Sequence, residues 1–275
     1  MSRPRALDLF CCGGGVSEGL RRAGFAVVGV DIVDHSRVYS REPDGKLGAG
    51  PGSRTHPCPA RFVQADALAF LEAVIRGEHG HFDLICASPP CQAHSSLRHL
   101  QKGKVYPDLI EPTRELLKRR GGAWCIENVP GAPLGGCNLV MLCGTMFGLQ
   151  TPDGRAELRR HRLFETSFSI PLRPACQHGH LCAEPVSVTG TGMGVGGKAR
   201  WQERKVLTVT GHTPVENTGR GVITGNTVRQ TFSTDDARHA MGIDWMPMKQ
   251  LSQAIPPVFA EWIGRQALDF LDYHT

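Results

Sequence analysis

The chain has 275 residues, 40% hydrophobic, 21% charged and 7% aromatic, with a formal net charge of +5. That is enough chain for a full hydrophobic core at an ordinary globular composition, which excludes disorder, collagen and coiled coil as the main state. The charge is unevenly placed: residues 151–230 hold eleven Lys/Arg against six Asp/Glu, while the remainder is balanced. A segment that grips a polyanion has this pattern, and so does a merely solvated basic face.

Residues 6–10 are a short apolar run that ends in a glycine cluster, and residues 16–23 have helical character. A second β-rich run over 25–30 ends at Asp31. Strand, glycine loop, helix and strand within about 30 residues open a doubly wound, Rossmann-like α/β sheet. Residues 40–60 are turn-rich and predict an exposed loop. Residues 61–64 lead to Asp66 and a helix over 67–76, and 82–87 is a buried-type strand that ends in Ser88-Pro89-Pro90. An amphipathic helix over 110–120 precedes a strand over 123–126, which ends in Glu127. The uncharged stretch 129–149 has the length of a membrane span, but its prolines and glycines exclude a continuous lipid-exposed helix. Residues 166–230, with a glycine-rich run and β-branched residues at 206–210, predict a small irregular β-rich region. Helical periodicity returns at 234–241 and over 258–273, and the last helix is expected to pack back on the N-terminal half. No export signal opens the chain, and its ten cysteines then point to reduced thiols in a cytoplasm.

The chemistry concentrates at the predicted strand ends. The loop after the first strand holds Gly13, Gly14 and Gly15, where backbone can approach a ligand, although Gly13, Gly15 and Gly19 are one residue too widely spaced for the dinucleotide fingerprint. Asp31 stands where such folds hydrogen-bond ribose hydroxyls, and Asp66 follows the next strand. Together these features predict a nucleoside-type cofactor. Ser88-Pro89-Pro90-Cys91-Gln92 is the sharpest signal, because two prolines fix the backbone and present a cysteine at the carboxyl edge of the sheet. Glu127 ends the next strand on that edge. A thiol and a carboxylic acid converging beside a nucleoside cofactor suit attack on an electron-poor ring with protonation of its nitrogen.

Over nearly its whole length the sequence resembles the cytosine-C5 DNA methyltransferases, and its compactness resembles their small bacteriophage-type members. The motifs run in order: Asp8-Leu9-Phe10 with Gly14-Gly15, Asp31, Asp66, Pro90-Cys91-Gln92, Glu127-Asn128-Val129, Arg160-His161-Arg162 and Ala254-Ile255-Pro256-Pro257. The resemblance implies S-adenosylmethionine lying across the first strands, with Phe10 on the adenine, Asp66 on its amino group and Asp31 on the ribose. It extends the cofactor site to Gly13, Gly14, Gly15, Ile32, Ala67, Ser88, Pro90, Gln253 and Ala254. Cys91 is then the nucleophile toward C6 of a flipped-out cytosine, Glu127 the group that holds and protonates N3, and Arg160 and Arg162 the supporting cations. The implied partner is double-stranded DNA, for a monomer with no membrane attachment or obligatory protein partner, in the cytoplasm of a bacterial or phage-infected cell.

Three positions depart from that pattern. Cys12 replaces the first glycine of the Phe-x-Gly-x-Gly loop, Leu158 replaces the glutamine of Gln-x-Arg-x-Arg, and Ser252-Gln253 replaces Gly-Asn. Cys176, His178, His180 and Cys182 alternate, but on one extended strand they span roughly 20 Å, too far for a single ion, so no metal is expected. The expected organisation is a catalytic domain of 1–165 plus 231–275, with a DNA-recognition insertion at 166–230. A tRNA cytosine methyltransferase shares the catalytic motifs, and a DNA-binding homologue without catalysis is the rival of another class. An amino-nitrogen methyltransferase places an aromatic residue after its prolines, where this chain has Cys91.

Overall fold

The computed structural model describes residues 3–35, 40–41, 54–55, 61–94, 106–136, 138–154, 156–170, 175–176, 205–207 and 233–274. Seven strands form the main sheet: β1 (Arg5–Leu9), β2 (Ala26–Asp31), β5 (Arg61–Gln64), β6 (Leu84–Ala87), β7 (Ala123–Asn128), β8 (Leu139–Leu142) and β10 (Arg162–Thr166). Their order is β5-β2-β1-β6-β7-β10-β8. Pairing is parallel from β5 to β7, whereas β10 runs antiparallel to both β7 and β8. Counted along the chain, this is third-second-first-fourth-fifth-seventh-sixth, a doubly wound sheet with one reversed strand inserted near its edge. A two-residue antiparallel ladder joins β3 (Ser40–Arg41) to β4 (Arg54–Thr55) within the stretch expected to be an exposed loop, the rest of which lies outside the described residues. β9 (Ala156–Leu158) pairs in parallel with β11 (Lys205–Leu207).

The central strands are buried on both faces, which is why they read as continuous apolar runs. One face is covered by α1 (Gly15–Ala23) and α6 (Pro257–His274), where Val16, Leu20, Phe259 and Ile263 meet Ala6, Leu84 and Cys125. The other is covered by α2 (Ala67–Ile75) and α3 (Ile110–Arg120), where Phe70, Leu71, Ile110 and Leu117 meet Leu7, Leu9, Ile85 and Ile126. A third cluster joins β9 to α4 (Thr234–Met241) and α5 (Met248–Leu251) through Leu158, Ala240, Met241, Trp245 and Leu251.

Local chemistry sets the helix ends. The Asp66 carboxylate accepts from the Ala69 amide at 2.9 Å and starts α2, and Ser233 and Asp236 form a reciprocal capping box on α4. α6 begins with Pro257, where a missing amide costs nothing. As expected, α6 packs back on the N-terminal half. A Cβ at Gly19 would stand 2.1 Å from the Pro257 carbonyl oxygen, so glycine is what lets α1 and α6 approach.

Strand pattern alone did not reveal β8 or β10. β8 follows a run of glycines and prolines, and β10 follows the polar Arg159-Arg160-His161 with no turn residue to mark its start. Among the described residues, no helix is long and apolar enough to cross a membrane. Most of the basic 166–230 segment lies outside the described residues. Within it, Thr166 ends β10, and Phe168 and Ile170 are buried in the core under α6.

Candidate active site

Because β1, β2, β5, β6 and β7 are parallel, their carboxyl ends share one edge of the sheet. The chain leaves β1 outward to β2 and β5, then returns to β6, so the crevice between the ends of β1 and β6 is the topological switch point where such sheets bind ligands. Phe10 to Gly15 border it on one side and Ser88 to Cys91 on the other. The Ser88 amide donates to the Leu9 carbonyl at 3.1 Å, which joins the two rims.

On the first rim, Phe10 and Cys12 hold left-handed backbone at φ 62° and 46°, rare for residues with a Cβ. Cys12, the departure from the glycine pattern, therefore keeps a backbone conformation that glycine favours. Asp31 holds the loop in place. Its carboxylate accepts from the Cys12 amide at 2.9 Å and the Val33 amide at 2.9 Å, and the His35 Nε2 stands 3.6 Å away. Burial alone raises this carboxyl, but the hydrogen bonds from His35, Val33 and Cys12 outweigh it and hold Asp31 below its ordinary value. His35 is in turn 3.1 Å from Gln250 through Nδ1. Sequence pattern did not single out this Gln250–His35–Asp31 chain, because Gln250 lies 215 residues from His35. Beside Asp31, Ile32 and Val33 are 65% and 55% exposed, an apolar step next to a carboxylate.

The other expected cofactor residues differ in their surroundings. Gly13 and Gly15 do not face an open cradle: added Cβ atoms would lie 2.8 Å from Met246 Sδ and 2.4 Å from the Ile255 carbonyl oxygen. The close approach that these glycines permit is to the C-terminal segment, and Trp245 donates to the Gly13 carbonyl at 2.9 Å. Only Gly14, at φ 80°, starts α1 by conformation. The Ala67 and Ala254 side chains are buried in the core, while Gln253 and Asp66 are exposed. Leu158 is likewise a core residue, packed among α4 and α5, which accounts for an apolar side chain in place of glutamine.

On the second rim, Pro90 leads into a 3-10 turn over Cys91–Ala93. Asn128 braces it by donating from its side-chain amide to the Pro89 carbonyl at 2.9 Å. Glu127 is buried on β7 opposite Phe164 of β10. Since β10 runs backwards, its first residue, Arg162, arrives at the same edge, and its Nε lies 3.0 Å from Glu127 Oε1. Arg160, also buried, donates to the Ser252 carbonyl at 2.8 Å.

These four groups share one electrostatic environment. Burial raises the Glu127 carboxyl above its ordinary value, against the pull of Arg162 and Arg160. Burial also raises the Cys91 thiol, with Arg162 and Arg160 lowering it and Glu127 adding to the rise. Arg160 is pushed down by burial and by Arg162, and supported by Glu127 and Cys91. The arrangement offers a thiol whose ionised form is favoured once Glu127 is neutral, and a carboxyl whose burial favours its protonated form.

No protein-family model and no curated protein matches this chain. Solved structures do match it. The chain aligns over 98% of its length with a DNA modification methyltransferase encoded within a prophage of E. coli, covering 99% of that chain at 15% identity and a TM-score of 0.52. It aligns over the same share with the Entamoeba histolytica methyltransferase EhMeth, covering 99% of that chain at 12% identity and a TM-score of 0.55. At these identities the likeness is one of fold, and it is the Rossmann-like α/β fold described above.

Proposed function

We propose that this chain transfers a methyl group from S-adenosylmethionine to C5 of a cytosine in double-stranded DNA. The observation that carries the reading is the convergence of Cys91, Glu127, Arg160 and Arg162, from three separate segments, at the switch-point edge of a methyltransferase-type sheet. The residues present fit the cofactor. Asp31 offers a carboxylate at the end of β2, Ile32 and Val33 offer exposed apolar surface for a base, and Phe10 stands at the rim of the crevice. Asp66, although it caps α2 with one oxygen, is exposed and has a second oxygen for an amino group. When bound, S-adenosylmethionine supplies an electrophilic methyl group.

The chain's own residues do the rest. A cytosine inside a duplex hides C6 from any side chain, so the base must leave the stack. The Cys91 thiolate then forms a bond to C6, and the electron pair displaced from the C5–C6 bond makes C5 nucleophilic. Glu127 in its protonated form donates to N3 and neutralises the charge that develops there, and its burial favours that form. Arg162 holds the Glu127 carboxyl in place, and Arg160 ties the edge to the C-terminal segment through Ser252. After C5 takes the methyl group, its hydrogen leaves as a proton and the returning electron pair expels Cys91. The basic 166–230 segment is assigned the DNA-reading role, through phosphate contacts above all.

Trapping tests the reading. A duplex with 5-fluorocytosine at the target cannot lose its C5 substituent as a proton, so a denaturation-stable adduct should form and map to Cys91. The same assay with tRNA should give none. An adduct through any other cysteine, or one formed with tRNA alone, would overturn the assignment.

A further inference from the structure

The reversed strand β10 brings a second group of side chains to the same edge of the sheet. β8 is paired with β10 so that Leu142 stands opposite Arg162, and the residues just outside that pair, Cys143 and His161, are therefore neighbours. Cys176, which follows the last core residues of the segment, joins them. One donor atom from each of Cys143, His161 and Cys176 lies within 4.8 Å of the others, and the Cys176 sulfur is 3.4 Å from His161 Nε2.

We propose that Cys143, His161 and Cys176 bind a zinc ion. Tetrahedral zinc with ordinary bond lengths separates a sulfur from a nitrogen by about 3.6 Å and two sulfurs by about 3.8 Å, so the observed group closes on an ion with sub-ångström to ångström adjustment. Two thiolates and an imidazole are the donor set that selects zinc over oxygen-seeking cations. The surroundings favour an anionic sulfur. The Thr145 hydroxyl donates to Cys143 Sγ at 3.4 Å, and the Met146 amide also faces that sulfur. On binding, each thiol releases its proton to solvent and keeps its electron pair for the metal. The alternating run after Cys176 lies outside the described residues, and the two partners of Cys176 named here, His161 and Cys143, are 15 and 33 residues back in the chain.

The site does not depend on the methyl-transfer reading. It would pin together β8, the segment that carries Arg160 and Arg162, and the entry to the 166–230 segment.

The test uses the full-length chain purified under reducing conditions. Zinc analysis should give about one ion per chain. X-ray absorption at the zinc edge should show two sulfurs with at least one nitrogen, and this needs no variant. Cobalt substituted for zinc should give an intense near-ultraviolet sulfur-to-cobalt band, lost in Cys143→Ser and in Cys176→Ser, with folding checked by circular dichroism. A wild-type protein that shows no cobalt band, a metal shell of four sulfurs or of none, or a band that survives both substitutions would overturn the site. So would a Cys143–Cys176 disulfide found in place of the metal.

Discussion

The two halves of the sheet hold their carboxylates in different ways. On the β1–β2–β5 half, Asp31 and Asp66 are satisfied mainly by backbone amides close in sequence: Val33 for Asp31 and Ala69 for Asp66, with the Cys12 amide from the neighbouring loop. On the β7–β10 half, Glu127 and Glu165 face guanidinium groups brought from afar. Arg162 meets Glu127, and Arg114 of α3 binds Glu165 bidentately at 2.9 and 2.8 Å. The half that carries the proposed cofactor residues, the cofactor half, thus holds its carboxylates largely through nearby backbone amides, although His35 beside Asp31 meets Gln250 of the C-terminal segment. The catalytic half exists only once β10 has inserted in reverse between β7 and β8. Damage to the first should be local and small, and damage to the second should be large.

The largest effect is expected at Cys91. Cys91→Ala should leave no detectable methyl transfer while the melting temperature stays near wild type, since the position is a turn at the sheet edge. Transfer at the wild-type rate, followed with radiolabelled cofactor, would sink the mechanism. Next comes Glu127→Gln, which keeps shape but cannot give up a proton to N3. Its kcat should fall by about 10²–10⁴-fold with little change in KM for the cofactor. A fall confined to KM would mean that Glu127 only binds.

Stability separates the halves more directly. Glu165→Gln leaves the buried Arg114 without its main counter-charge and should cost about 3–5 kcal/mol in urea unfolding. A loss under about 1 kcal/mol would place this pair among weak surface contacts and erase the contrast between the halves.

Asp8 tests the boundary between them. It is fully buried on β1, accepts from the Ser17 hydroxyl at 2.6 Å, and burial raises it to about 7 against that hydrogen bond. Its folded value lies above the ordinary 3.8, so its contribution to stability is complete below that value and is lost as pH rises through about 7. Asp8→Asn does not titrate. The stability of Asp8→Asn relative to wild type should therefore climb by about 1.4 kcal/mol per pH unit between those values. A gap independent of pH would show that Asp8 remains charged throughout.

The smallest change is expected at Asp66→Ala, about 1 kcal/mol for a lost helix cap, with a weaker grip on the cofactor measured by calorimetry. A loss as large as that of Glu165→Gln would mean that the cofactor half is as interdependent as the other.

Apart from the two-residue β3 and β4, which fall in the stretch expected to be loop, the main strands and helices of the first 128 residues were legible because each buries a face over a regular period and is bounded by Gly, Pro or Asp. The expected runs at 61–64, 110–120 and 234–241 coincide with β5, α3 and α4. The Cys91 turn could be read for the same reason, since two prolines leave a backbone few choices. A glycine that admits a ligand and one that admits a neighbouring helix look alike in sequence. Gly15 and Gly19 admit the Ile255–Pro257 segment and α6.

By itself, the sequence determined the parallel sheet, its carboxyl-edge loops and the candidate nucleophile and acid, because those follow from local period, turn chemistry and residue type. Only the tertiary structure decided what stands beside them. The direction of β10 carries Arg162 to Glu127 and His161 to Cys143, and the docking of the C-terminal segment sets Gln250 against His35 and the Ser252 carbonyl against Arg160. Such partners are separated by 18 to 215 residues and meet through strand order and burial, which no local pattern of side chains encodes.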